Sequence, residues 1–442
     1  MATWSSLNLR EAQGSFRLDA EFWQPDFVQN EAMLRGMKCR RLDEICRDVR
    51  KGIFYILAED YVSDGVPFYR SANVGDILPK ENDLVFISEE RDAADWKTSL
   101  GRGDVVLAKT ARIAASLVMR DRINISQDVI GLRVDKEAVN PAYLTVFLSS
   151  APGLLQMRRW FQGQVQGHLS LPDVRGMLIP IISNGAQELI EGHVHSAARL
   201  RSSAESTLEE ASSVLAEGIG ISHLRPGLRP TYGVQLSELS AAGRMDAEYF
   251  QPHLRELVER LGRDGTTVAD FAVPAKNKFL SEAHGDTFRY IEIGGVRRDG
   301  LVDAEEIVVD DAPSRARWIV RAGDVVTSTV RPKRRLTAVV SQSQNGFICS
   351  SGFSVLRPRG VPSEVLLTFL RLPLVCELLD LMTTASMYPA LRPDDFLKLP
   401  MPRVAEDLSA RIAGLVRDGW NLLKEADGEL AAARGVLAQE LG

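Results

Sequence analysis

From Gln187 to Ile219 the apolar positions Ile190, Val194, Ala197, Ala204, Leu208, Ala211 and Leu215 recur at steps of three, four or seven, with Arg201 interrupting the stripe. Leu408, Ile412, Leu415, Leu422, Ala426, Leu430, Ala433, Leu437 and Leu441 repeat the pattern at the end of the chain. This spacing predicts two long amphipathic helices, over residues 183–219 and 404–442, each with a narrow apolar seam. A narrow seam is best buried against another helix of the same length, and each has only the other, so the pattern predicts a two-helix coiled coil. The chain passes between its halves through the short linker "GISHLRPGLRPTYG", residues 220–233, which favours an antiparallel pair. At about 1.5 Å per residue such a rod is roughly 50 Å long.

Away from these helices the pattern changes to short β-branched runs. "GRGDVVLAKTARIAASLVM" (Gly101–Met119) and "RAGDVVTSTVRPKRRLTAVV" (Arg321–Val340) share Gly-Asp-Val-Val at an offset of 220 and read as turn, strand, polar or basic loop, strand. "VIGLRVDKEAVNPAYLTVFLSS" answers to "GFSVLRPRGVPSEVLLTFLRL" as strand, proline-containing turn and helix, and "LPDVRGMLIPI" to "RPDDFLKLPMP". Each half is introduced by nearly the same words, "RLDAEFWQP" (Arg17–Pro25) and "RMDAEYFQP" (Arg244–Pro252). These pairings establish a tandem duplication. The expected fold is α+β: two mixed α+β domains, 1–182 and 234–403, each followed by a long helix, the two helices pairing as an antiparallel coiled coil.

Composition narrows the class. A 442-residue chain, 45% hydrophobic and 25% charged, has the balance of a globular protein. No secretory leader pattern and no apolar run of roughly 18 residues is present, so a cytoplasmic protein without a membrane partner is expected. Cys39, Cys46, Cys349 and Cys376 are too irregularly spaced for a disulfide framework and read as buried thiols; the histidines suggest no metal site. A net charge of -6 argues against nonspecific coating of nucleic acid, which needs an excess of cations, but leaves room for a local basic groove.

Two α+β domains opened by "R(L/M)DAE", each carrying "GDVV" and a terminal "LPDV…IP" type segment and each followed by a long helix, resemble the specificity subunit of type I restriction-modification systems. The resemblance spans essentially the whole chain, and the order domain, helix, domain, helix is its specific part. It implies two target-recognition domains that each read one half of a bipartite sequence in double-stranded DNA. It also implies helices that set the unread spacer and dock methyltransferase subunits, two of them, with a translocating endonuclease subunit joining some assemblies. Such a subunit has no chemistry and no cofactor of its own. The alternatives are a recognition subunit whose companion fuses methylase and nuclease, or a protein-binding adaptor.

The resemblance and the residue types together select candidate DNA contacts. In "PFYRSANVGD", Arg70, Ser71 and Asn73 are of the types that pair with guanine or adenine edges in the major groove, and "RYIEIGGVRRDG" offers Arg289, Arg297 and Arg298 at the matching place. After Gly-Asp-Val-Val come Lys109, Thr110 and Arg112 in one half and Thr329, Arg331, Lys333, Arg334 and Arg335 in the other, a basic loop at the same point of both repeats. A third matched pair of segments contributes Arg158, Arg159, Gln164, Gln166 and His168, and Ser386 and Tyr388. The aromatics of the opening motif are expected to pack each domain against the helical rod.

Enzyme signatures are weak. "NPAY" at Asn140–Tyr143 resembles the Asn-Pro-Pro-Tyr type motif of adenine methyltransferases but lacks its second proline, and it reads as the start of a helix. No phosphate-binding GxxxxGK[ST] sequence exists, and the paired carboxylates of "RPDDFLK" have no counterpart in "LPDVRGM". No catalytic residues are assigned.

Overall fold

The computed structural model describes residues 17–442 apart from 82, 111, 162–166, 226, 276, 281–284 and 384–389. The chain divides into two compact units, one running up to Arg201 and including Lys424–Gly442, the other Ser202–Leu423.

The core of the first unit is a four-stranded antiparallel sheet in the order Cys46–Lys51, Val129–Val134, Val105–Ala108, Ala114–Leu117. The strand after Gly-Asp is buried at every position because the sheet is covered on both sides. Val105 and Leu107 face the helix Pro141–Leu148 and its neighbours, whereas Val106 and Ala108 face Tyr69, Ile125 and Val129. Gly103 enters the strand at φ +88°, and the Asp104 carboxylate accepts the Gly101 N–H at 2.9 Å, closing the turn. A second sheet, ordered Tyr61–Val62, Val85–Ile87, Val66–Tyr69, Asn124–Ile125, lies beyond, and its last pair is parallel.

The second unit is built the same way. Its main sheet runs Ala272–Pro274, Phe353–Pro358, Val325–Ser328, Thr337–Val339, in the same order as its counterpart. Gly323 takes φ +84° and the Asp324 carboxylate accepts the Arg321 N–H at 2.8 Å. The smaller sheet runs Glu305–Val308, Thr287–Ile291, Ile348–Ser350, Ala316–Ile319, again with one parallel pair at its centre.

"NPAY" begins a helix. The Asn140 side chain accepts the N–H groups of Ala142 and Tyr143, Pro141 occupies the first turn, and the buried Tyr143 hydroxyl donates to the Pro180 carbonyl.

The long helices are Asn184–Gly218 and Glu406–Leu441. In the first unit Ile190, Val194 and Ala197 share a core with Ala426, Leu430, Ala433 and Leu437. Ser183 donates to Glu440, His193 Nδ1 lies 2.6 Å from Glu429, and Arg201 donates to Asp427 at 3.2 Å. In the second unit Ala211 and Leu215 share a core with Ile412 and Val416, and Arg411 donates to Glu210 at 3.2 Å. In each unit rising numbers on one helix meet falling numbers on the other, so the pairing is antiparallel. Arg201, which interrupts the apolar stripe, is accommodated by its carboxylate partner.

The opening motifs do not pack as expected. Phe22 and Trp23 are buried edge-to-face at 5.2 Å, but against Trp160 and the guanidinium of Arg159 at the end of the helix Ala151–Trp160, not against the long helices. In the second unit Arg244 lies over the Tyr249 ring at 4.2 Å and donates to the Leu381 carbonyl at the end of the helix Pro373–Leu381. The physical reason is local: in both repeats Arg17 or Arg244 forks onto Asp19 or Asp246, which fixes the turn and aims its aromatics at the nearest helix end.

Candidate nucleic-acid interface

The first unit brings three separate stretches of sequence to one end of its main sheet, and the second unit brings two of the matching three. In the first, the hairpin loop after Val105–Ala108 is held on two sides. Leu169 N–H donates to the Lys109 carbonyl at 3.1 Å and His168 bridges to Thr110, while Ser71 Oγ donates to the Thr110 carbonyl at 3.4 Å and the Arg112 guanidinium to the Val74 carbonyl. The second unit repeats the first of these links. Leu391 N–H donates to the Thr329 carbonyl at 2.8 Å and Ala390 bridges to Val330.

The electrostatics of the two loops differ. Burial and the neighbouring Lys51 lower the pKa of Lys109, with Asp128 opposing them. Asp128 also accepts the Thr110 hydroxyl at 2.8 Å. In the second unit Lys333 pairs with Asp380 at 3.0 Å, whereas Arg331, Arg334 and Arg335 are exposed and have no carboxylate partner among the described residues. Arg331 and Arg335 adopt φ +50° and +55°, a left-handed conformation that side-chain-bearing residues avoid. Two such residues, both arginine, flank one short turn, Pro332–Arg334. Strain of this kind, of order 1 kcal/mol or more per residue, is characteristic of functional loops.

Behind that loop lies an arginine missed in the sequence. Arg371 ends the helix Ser363–Arg371, and its guanidinium rests against Gly300, so close that a Cβ there would meet it at 2.8 Å. Burial pushes its pKa down to about 10, with Asp299 opposing and Arg335 and Arg298 adding to the fall. It therefore remains a cation at neutral pH. Nothing in "LTFLRL" distinguishes it from an arginine on a solvated helix face.

Several candidates are not presented to a ligand. Asn73 is fully buried: its Oδ1 accepts the Arg70 N–H and its Nδ2 donates to the Lys80 carbonyl, both at 3.0 Å, so it closes a turn. Arg159 is buried between Glu31, the Phe22 carbonyl and the motif aromatics. Thr329 is buried and donates to the Gly352 carbonyl at 2.9 Å. Arg70, half-buried, donates to the Asp83 carbonyl at 2.5 Å, and its place in the second repeat is taken by Glu292, which likewise precedes a short 3-10 turn. Arg289 pairs with Glu306 at 3.4 Å and Arg297 with Asp299 at 2.5 Å; Arg298, Arg158 and His168 are exposed. Gln164, Gln166, Ser386 and Tyr388 lie outside the described residues.

Among the described residues no cluster of His, Cys, Asp or Glu could hold a metal ion, and no helix is long and apolar enough to cross a membrane. No family model and no curated relative matches the chain. Solved structures do. A type I restriction-modification system S subunit from M. genitalium aligns at 14% identity over 91% of this chain and 95% of its own, with a TM-score of 0.36. The HsdS subunit from Thermoanaerobacter tengcongensis aligns at 16% identity over 92% and 96%, with a TM-score of 0.28. The type IIG restriction endonuclease BpuSI aligns at 12% identity over 42% of this chain and 30% of its own, with a TM-score of 0.31. Over nine-tenths of its length, the chain is thus similar to S subunits of type I restriction-modification systems.

Proposed function

We propose that this protein is a non-catalytic DNA-reading subunit of a restriction-modification complex, recognising a two-part target in double-stranded DNA with one recognition domain per half-site. The observation that carries the reading is the repeated loop after Gly-Asp-Val-Val. In both units it is clamped by the segment that precedes the terminal helix, and in both it carries cations, Lys109 and Arg112 in one and Arg331, Arg334 and Arg335 in the other. Cations on a hairpin whose backbone is clamped suit phosphate contact and base-edge reading. Different residues on matching loops suit half-sites of different sequence.

The antiparallel helices are the docking surface for methyltransferase subunits and, in a restricting assembly, an endonuclease subunit. The complex works in the cytoplasm, where its DNA is. Replacing Arg331, Arg334 and Arg335 together by alanine weakens DNA binding of the assembled complex and lowers the slope of log affinity against log salt by up to about 3, one contact at a time. An unchanged slope, measured by fluorescence anisotropy across a salt series, refutes the reading. A protein-binding adaptor shows no change in either quantity.

A further inference from the structure

Resting on that reading, we infer that Phe54 and Tyr55 form an aromatic wedge that presses between base pairs of the DNA bound by the first recognition domain. The two rings are 80% and 68% exposed, side by side in the chain. Single exposed apolar side chains are ordinary, but two adjacent rings with Leu57, 45% exposed, close behind them make an apolar patch of the kind that marks a contact surface.

Their presentation is rigid. The strand Cys46–Lys51 runs directly into Gly52, whose N–H donates to the Val129 carbonyl at 3.1 Å, and Ile53, buried, whose N–H donates to the Ile125 carbonyl at 2.8 Å. Gly52 passes so close to the neighbouring strand that a Cβ would sit 2.1 Å from the Ile125 carbonyl oxygen, so only glycine fits. On the far side Arg91 donates to the Tyr55 carbonyl at 2.6 Å. The rings thus project from a turn whose backbone is fixed before any ligand arrives, which removes part of the ordering cost of binding.

The surroundings favour DNA over a protein surface. Gly52 bonds to the Val129 carbonyl, and the Lys109 N–H donates to the carbonyl of the preceding residue, Asp128, at 3.1 Å, so the turn and Lys51 sit at the cationic loop already described. Of the carboxylates nearby, Asp128 accepts from Thr110 and Asp60 from the Leu57 N–H at 2.6 Å, while Glu59, and Glu90 beside Arg91, are exposed and would face the DNA only at its edge. Apolar side chains beside cations are the combination with which proteins part a base step while holding the flanking phosphates.

Among the described residues the second repeat lacks the adjacent exposed aromatic pair, although Leu280, which matches Tyr55, is itself 65% exposed. Counting from the matched strand register, its counterpart of Phe54 is Phe279, whose ring packs 4.9 Å from that of Phe288.

The test uses the complete complex, purified with its companion subunits, and duplexes carrying its methylation motif with 2-aminopurine at single positions through and beside the first half-site. With the native chain, fluorescence rises on binding at one step, as that base unstacks. In the variant Phe54→Ala/Tyr55→Ala the rise is lost and affinity falls roughly tenfold per ring, while the complex keeps its subunits and its melting temperature. Restoring aromatics with Phe54→Tyr/Tyr55→Phe restores the signal. Equal fluorescence and affinity in the alanine variant overturn the wedge while leaving the proposed function intact. Loss of a companion subunit from the alanine variant overturns it in favour of a protein contact. If the native complex binds no specific duplex, the proposed function and the wedge fall together.

Discussion

The two repeats differ least at their centres and most at their edges. Both main sheets have the same strand order, the same left-handed glycine, and an aspartate accepting the N–H three residues earlier. The smaller sheets share a trio of strands with one parallel pair, then diverge. The first adds Tyr61–Val62 outside Val85–Ile87, and the second adds Ala316–Ile319 against Ile348–Ser350. The difference teaches that the duplication preserved a scaffold for holding one hairpin loop and left its surroundings free to change. A reader of two unlike sequences needs that separation, because loop residues set specificity while the scaffold sets position.

Buried chemistry marks the divergence too. Arg357 forks onto Asp324 at 2.8 and 2.9 Å, whereas Arg133 at the matching position of the first repeat donates to the carbonyls of Trp96, Lys97 and Ser99. One arginine, a third exposed, pairs with a buried carboxylate, and the other holds the carbonyls of the segment leading into the Gly-Asp turn.

The largest way to break the comparison is to cross the loops. Grafting Thr329–Arg335 onto the first repeat in place of Lys109–Arg112 is expected to abolish the native first half-site, a loss of about a hundredfold or more in specific affinity, with the second half-site still read. Protein-binding arrays of the assembled complex measure this; loss of both half-sites together contradicts independent readers.

The buried pair gives the next largest effect. Arg357→Ala leaves the Asp324 carboxylate, 1% exposed, without its cation, and is expected to destabilise the second unit by about 2–3 kcal/mol. Arg133→Ala, which removes carbonyl contacts and a longer-range attraction to Asp104, is expected to cost about 1 kcal/mol. Urea unfolding of the two variants sharpens the comparison, and equal losses would show that the arginines do the same work.

Strain is smaller and opposite in sign. Arg331→Gly or Arg335→Gly relieves a left-handed residue and is expected to stabilise by about 0.5–1 kcal/mol while weakening DNA binding. A variant that gains neither stability nor loses affinity would remove the functional reading of the strain.

The smallest effect is pH dependence at Lys109. Its pKa in the free protein is lowered, so its charge is lost at a lower pH than that of an ordinary lysine. A bound phosphate favours the charged form, so binding takes up a proton and weakens as pH rises through the lowered value. Affinity measured as pH rises toward the ordinary lysine value of about 10.4 should fall more steeply for the native chain than for Lys109→Arg, which stays charged.

The fold was readable because two signals were doubled. The seam from Ile190 to Leu215 and its counterpart from Leu408 to Leu437 predict paired helices, and matching Gly-Asp-Val-Val runs fix the repeats whatever the strand boundaries. Much of the site was not readable. Asn73 and Arg159 have the chemistry of DNA readers, but whether a polar group meets a ligand or its own backbone is decided by burial, which local sequence does not carry. Arg371 and Phe54 show the converse. An arginine at a helix end and an aromatic after a strand look ordinary until the fold sets one beside Gly300 and projects the other into solvent.

The central claim is that each repeat reads its own half of one target. Long-read mapping of methylated motifs tests it most directly, in cells carrying the native chain, Lys109→Ala/Arg112→Ala, or Arg331→Ala/Arg334→Ala/Arg335→Ala. The account predicts one two-part motif that depends on the native chain, with each variant relaxing a different half. Both variants altering the same half, or no motif depending on the chain at all, would contradict it.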